Sequence, residues 1–267
     1  MVVEADIPCR KCAYNLRGIS TAGQCPECGT NVVVSVRGHL IRYCDPRWVA
    51  GLSKGVRLIL WALLLAIVCA PAGAVLHIAA PGPTDRILNG LGQTVVDLLF
   101  FWGSWLLSEP DPSTLGEVEY GAARRVLRVT VLIGVVWWVL NLGQQASFFP
   151  PAVVRIVAGT ANALSLADVI GWFVQLHYLQ HLMLRIPEPN LSQRAGFLKY
   201  AIGVSDAALV LVNAVPAVGS CASGIAAICM VIFGIMYLDV LVKLNRRLKV
   251  DRAAAEILWS QRKTRVP

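Results

Sequence analysis

Cys9, Cys12, Cys25 and Cys28 form two CxxC pairs, with residues 13–24 between them. CxxC spacing lets one tight turn present two sulfurs to a single metal, and two such pairs close a tetrahedron. Zinc suits this set, because Zn²⁺ is borderline-soft and takes four thiolates with no position left for water. Gly29, directly after Cys28, suits the left-handed backbone such turns adopt, and Ala13 occupies the equivalent place after Cys12. A redox dithiol or a rubredoxin-like iron site would use the same residue type. Two pairs at this spacing in a reducing compartment favour zinc over either. A segment of this size has too small a core to fold alone, so the metal is expected to supply its folding energy. Residues 13–24 are expected to form a hairpin and Asn31–Val36, reading NVVVSV, a strand. Residues 1–36 thus read as a small β zinc ribbon whose metal is structural, with no nucleophile, base or phosphate loop beside it.

The run CRKCAYNLRGISTAGQCPECGTNV resembles the zinc ribbon found ahead of membrane segments in many uncharacterised planctomycete proteins. Cys9, Cys12, Tyr14, Leu16, Gly18, Cys25, Pro26, Cys28 and Gly29 carry the resemblance. It covers the ribbon alone, apart from a looser likeness around His177–Leu198. It implies four metal ligands and a cytoplasmic ribbon, and it implies no activity.

Other residues with chemical potential lie inside apolar stretches, where charged groups are costly and functional candidates by default. These are Asp97, Asp168, Asp206 and Asp239, with His77, His177 and His181. Gln93 and Thr94 lie about one turn from Asp97. Asp168 and Gln175 fall about 20° apart on one helix face, with Asn162 and Ser165 close by. That polar stripe either lines a cavity or packs helices through hydrogen bonds, and packing is the plainer reading. His177 and His181 are spaced to ligate one metal or haem, although a polar rim at the membrane edge explains them as well. They sit about 180° from Asp168, so the two cannot make one site on that helix. The intervening HYLQH lacks the Glu of a zinc hydrolase.

The elements that must position these residues are membrane helices. Of 267 residues, 56% are hydrophobic and 15% charged, against about a quarter charged in an average soluble protein. The apolar blocks reach the roughly 20 residues needed to cross a bilayer. Six spans are expected, near Val56–Ala80, Ile87–Leu107, Val126–Phe148, within Pro151–Ile186, then Gly196–Val218 and Cys221–Leu244. The fourth block is too long for one upright crossing: either Ala152–Ala158 is a short interfacial helix with a break near Gly159–Asn162, which is the preferred reading, or the helix extends into the cytoplasm at its C-terminal end. Asp45-Pro46 reads as a helix start within a linker, residues 37–55, that carries an interfacial helix into the six-helix domain 56–244. The opening MVVEADIP lacks the basic start and apolar core of a secretion signal, so the first span is expected to insert the chain. Cys44, Cys69, Cys221 and Cys229 read as small hydrophobes.

All Lys and Arg residues except Arg86 and Arg155 fall on the side of the N-terminus, counting those at span edges. Under the positive-inside rule both termini are then cytoplasmic, in the inner membrane of a cell. The acidic loop with Glu109, Asp111, Glu117 and Glu119 does not count against this. Residues 245–267 read as a basic amphipathic helix on anionic inner-leaflet lipid, with Leu244, Leu248, Ala255 and Leu258 on one face. Gly219, Ser220, Ser223 and Gly224 permit close helix packing. The ribbon balances Arg10, Lys11 and Arg17 against Glu4, Asp6 and Glu27, so it lacks the basic face that nucleic acid needs, and a protein partner fits better. The overall expectation is a non-enzymatic membrane protein with a ribbon for docking or regulation. The alternatives are a solute or proton transporter using Asp97, Asp168 and the polar stripe, and a haem or metal redox protein using the histidine pair.

Overall fold

A computed structural model describes residues 1–9, 11–79, 82–112, 117–145, 150–214 and 219–260. Among them the chain is all-helical, with isolated bridges and no strands. A short helix, α1 (Val32–Val36), ends the cysteine module, and a 3₁₀ turn (Ile41–Tyr43) follows in the linker. Six long helices come next: α2 (Pro46–Ala79), α3 (Pro83–Leu107), α4 (Glu117–Gln145), α5 (Pro151–Leu184), α6 (Pro189–Ala214) and α7 (Gly219–Ser260). Each packs on its neighbour in sequence, and α7 returns onto α2 to close the ring.

The helix start expected at Asp45-Pro46 is present. The Asp45 carboxylate accepts from the Arg47 amide at 2.7 Å, and its carbonyl accepts from Val49. From there α2 runs unbroken to Ala79, so no joint separates an interfacial helix from the first apolar stretch. The break expected in α5 is likewise absent, because Gly159–Asn162 lies inside one continuous helix. Its excess length goes to the other end. There Leu176, Tyr178, Leu179, Leu182 and Met183 are buried by protein, and that burial holds the last turns helical. The tail is also no separate element. α7 continues straight to Ser260, with Leu244, Leu248 and Ala255 buried against the protein, while Arg262, Lys263 and Arg265 lie outside the described residues.

Among the described residues, burial is concentrated at the end of the ring nearest the cysteine module. One core joins Trp48, Leu52 and Ile59 of α2 to Leu107, Tyr120, Leu179, Leu198 and Leu244. Two glycines bring α2 and α3 together there. A Cβ on Gly55 would stand 2.7 Å from the Gly103 carbonyl oxygen, and one on Gly103 would meet Ile59 at 2.7 Å. Toward the opposite end the outward faces are apolar and exposed, including Ile67, Val75, Leu91, Val136, Leu211 and Ile228. Pro46–Leu76 and Ile228–Trp259 are long and apolar enough to cross a membrane.

Candidate metal centre and intramembrane sites

The cysteine module is built as two copies of one turn. The Ala13 amide donates to the Cys9 carbonyl at 2.8 Å, and the Gly29 amide donates to the Cys25 carbonyl at 2.9 Å. Cys9 N–H reaches Tyr14 O at 2.7 Å, and Cys25 N–H reaches Thr30 O at 2.8 Å. Both turns need a left-handed residue, and Ala13 and Gly29 supply it at φ 61° and 67°. Ala13 therefore carries a backbone strain that glycine would not, on the order of 1 kcal/mol. The chain between the turns is held by bridges at Val2–Ser20, Pro8–Asn15 and Gln24–Asn31 rather than by a β ribbon.

The expected strand NVVVSV is helix α1 instead. A strand would turn Val32, Val34 and Val36 to one face, but two surfaces need filling. Val32 and Val36 pack with Val3, Cys9 and Leu16. Val34 faces the end of α7, where it lines a crevice with Leu258 and Trp259. Only a helical turn sends these valines both ways, and that packing overrides their β preference. Two further residues of the module have a physical reason: Leu16 is wholly buried in it, and Gly18 sits at φ 81°.

The four Sγ atoms lie within 4.8 Å of one another. Cys9–Cys28 and Cys12–Cys25 are each 3.6 Å apart. Metal–sulfur bonds of about 2.3 Å put tetrahedral sulfurs roughly 3.8 Å apart, so the cluster fits a tetrahedral ion. The cysteines are thiols rather than disulfides. Burial works to raise the Cys28 thiol, but the Thr30 hydroxyl and amide outweigh it and bring it down to about 6. The four cysteines can hold a metal ion such as zinc.

The module and the linker that follows it are both seated on α7. The Asn31 amide donates to the Leu258 carbonyl at 3.4 Å, and the Trp259 indole donates to the Tyr43 carbonyl at 3.4 Å. Arg42 approaches the buried Asp251 at 3.8 Å.

Beneath the module lies a polar cluster that sequence reasoning missed. Arg185, at the end of α5, meets Asp111 at 2.6 Å, with side chains 9% and 2% exposed. The same guanidinium donates to His39 O at 2.8 Å, to Tyr120 Oη at 2.7 Å and to Cys44 Sγ at 3.1 Å, and stacks over Trp48 at 5.2 Å. Burial opposes the arginine charge, yet Cys44, Tyr120 and Asp111 leave its pKa above the ordinary value. The linker, the α3–α4 connection and α5 are thereby pinned at one point. Asp111 reads from sequence as part of an exposed acidic loop, and Cys44 as a plain hydrophobe. Only the isolated Arg185 after an apolar run hinted otherwise.

Among the candidates inside the apolar stretches, Asp97 and Asp168 are brought together. Both line a cavity of about 430 Å³ bounded by α2, α3, α4 and α5. Gln93 donates to Asp97 at 2.9 Å. Gln175 is buried elsewhere, donating to Tyr237 Oη at 3.2 Å, and meets Asp168 only along a narrow crevice. Asp239 is exposed between Arg194 and Lys243, and Asp206 Oδ2 is buried without a hydrogen-bond partner among the described residues. The side chains of His77, Asn162 and Ser165 lie outside the described residues.

His177 and His181 meet edge to face at 4.6 Å. The described residues gather no third ligand beside them, the cysteine cluster being the one such group. Two imidazoles one turn apart on one helix project the same way, so they cannot occupy the two opposite axial positions of one haem iron. The geometry gives the haem expectation no support. Compared with family models, curated proteins and solved structures, the chain matches none.

Proposed function

We propose that this chain is an integral membrane protein of six crossings, with both termini on the cytoplasmic side of a cell's inner membrane. Its four-cysteine site holds structural zinc, and the zinc module is a cytoplasmic docking or regulatory knob rather than a catalyst. The observation that carries this reading is a four-thiol cluster whose module rests on the end of α7, at a pole where the described residues of the bundle are buried by protein. A site whose four ligands already complete a tetrahedron has no open position for substrate. The exposed apolar faces of the remaining helix lengths suit lipid contact, and the resemblance to planctomycete ribbon proteins agrees with a cytoplasmic ribbon. Anionic inner-leaflet lipid would meet the exposed Arg246, Lys249 and Arg252. Metal analysis of the purified protein should return one zinc per chain, lost in Cys25→Ser/Cys28→Ser. Crosslinking in native membranes should capture a cytoplasmic partner with the parent protein and not with that variant. An identical crosslinking pattern in both would remove the docking role.

A second reading is favoured by the cavity that Asp97 and Asp168 share: a path for a small solute or protons. Flux in proteoliposomes should then fall in Asp168→Asn. Flux that the substitution leaves untouched would take away the path's best residue.

A further inference from the structure

We infer that the cavity between α2, α3, α4 and α5 is a binding site for an organic ammonium cation, recognised by the Asp97 and Asp168 carboxylates within an aromatic wall. The inference deepens the second reading above and rests on these helices lying in the bilayer.

Charge is the first argument. The two carboxylates come from separate helices, and among the described residues no Lys, Arg or His lines the cavity with them. Carboxylates in an apolar surrounding are costly unless paired or protonated, and a bound cation would supply the pairing. The wall is the second. Trp137 and Trp138 of α4, Trp172 of α5 and Phe100 of α3 line the same space. Aromatic faces attract cations, most strongly ammonium groups that shed water easily. These rings are held in place. The Trp138 indole donates to Thr94 Oγ1 at 3.3 Å, and Trp172 is braced edge-on by Tyr237 at 5.9 Å and tilted against Phe100 at 5.4 Å.

The third argument is what the site lacks. A hard ion such as Ca²⁺ takes roughly six to eight oxygen ligands. Among the described residues the side-chain oxygens come from two aspartates, one amide and a hydroxyl already accepting from Trp138. About 430 Å³ also far exceeds a bare ion and falls in the range of about 300–1,000 Å³ usual for small organic ligands. Gly134 keeps the space shaped: a Cβ there would press on Phe101 at 2.8 Å.

The test uses the full chain in lipid nanodiscs and equilibrium binding of benzyltrimethylammonium, with its uncharged isostere neopentylbenzene. Saturable binding of the cation and none of the isostere is expected. Asp168→Asn and Asp97→Asn should each weaken binding about tenfold or more, and Trp138→Leu severalfold. Two aspartate variants are used so that one folding poorly, as judged by size-exclusion profile, does not decide the matter. Equal binding of the isostere, or affinity unchanged in both Asn variants, overturns the inference. Cation binding without flux in proteoliposomes upholds the site and removes the transport reading. Proton flux without cation binding does the reverse.

Discussion

Asp111→Ala should release the linker from the bundle. Removing one partner of a buried ion pair costs about 3–5 kcal/mol, because the other charge is left in a poor dielectric. Arg185 keeps the His39 carbonyl, the Tyr120 hydroxyl and the Trp48 ring, so the loss belongs at the low end, about 3 kcal/mol. The opening is local. The pair ties the α3–α4 connection and the end of α5 to residues 39–44, and Arg37 and Arg42 of the linker are exposed to protease. When closing outpaces cleavage, proteolysis follows the population of the open form. A 3 kcal/mol change then raises tryptic cleavage after Arg37 and Arg42 by about a hundredfold. Arg185→Leu removes every one of these contacts at once and should cost more. The double substitution, leaving neither charge, should cost about 2 kcal/mol less than the two single losses added together. Cleavage of Asp111→Ala within threefold of the parent rate, or strict additivity in the cycle, would sink the claim that this pair anchors the linker.

Chelating the metal should unfold the cysteine module and spare the helices. Hydrogen exchange would then strip protection from the amides of Val3, Cys9, Leu16 and Cys25, and helical circular dichroism would barely change; a module still protected without metal would contradict metal-driven folding. Gly103→Leu should cost about 1–3 kcal/mol by forcing α2 and α3 apart at Gly55 and Ile59, read from thermal unfolding in detergent, where an unchanged midpoint would count against the close contact. Asp251 gives a pH effect. Burial raises its carboxyl although Arg42 and Arg247 pull the other way. A raised folded-state pKa means the stability it contributes is full below the unfolded value near 4 and is lost as pH rises through the folded value. Asp251→Asn should therefore stabilise the seating of α7 at pH 7, with an advantage that shrinks as acidification passes through the folded value toward the unfolded one; a variant less stable at pH 7 would reverse the sign.

The four-cysteine cluster was legible because two CxxC pairs at that spacing have few other uses, and the start of α2 because Asp-Pro has a single local meaning. The long helices were legible from their apolar runs. What failed depended on contacts between distant segments. NVVVSV has every local mark of a strand, yet its valines serve two partners, and one of these, Trp259, lies at the far end of the chain. Length alone leaves a break at Gly159–Asn162 and a C-terminal extension of α5 both open, and the extension is the one observed; the sequence carries no mark that Leu176–Met183 would be covered by protein and so decide between them. The Arg185–Asp111 pair was hidden for the same reason, since nothing near Asp111 in sequence distinguishes a buried acid from a solvated one.

These failures share a location, and that bears on how the module works. The misread strand, the extended α5, the continuous α7 and the buried ion pair all lie at the pole beneath the four cysteines. Helices there outrun the apolar stretches and build a protein-buried platform, onto which the linker folds through Cys44 and Trp48. The metal module rests on that platform through Asn31 and Val34. Its contact is the end of α7, which also holds the linker through Tyr43 and Arg42 and closes the ring against α2. A change at the cysteines therefore has a short mechanical route to the α2–α7 seam. Its route to the Asp97–Asp168 cavity runs along α2 by way of Ala62, Leu63 and Ala66, which line that space. If the knob regulates the cavity, α2 is the element that must move, and the close Gly55–Gly103 crossing is where α3 would resist it. Coupling between metal and cavity should then weaken in Gly103→Leu, whereas two independent sites would leave cation affinity indifferent to chelation in every variant.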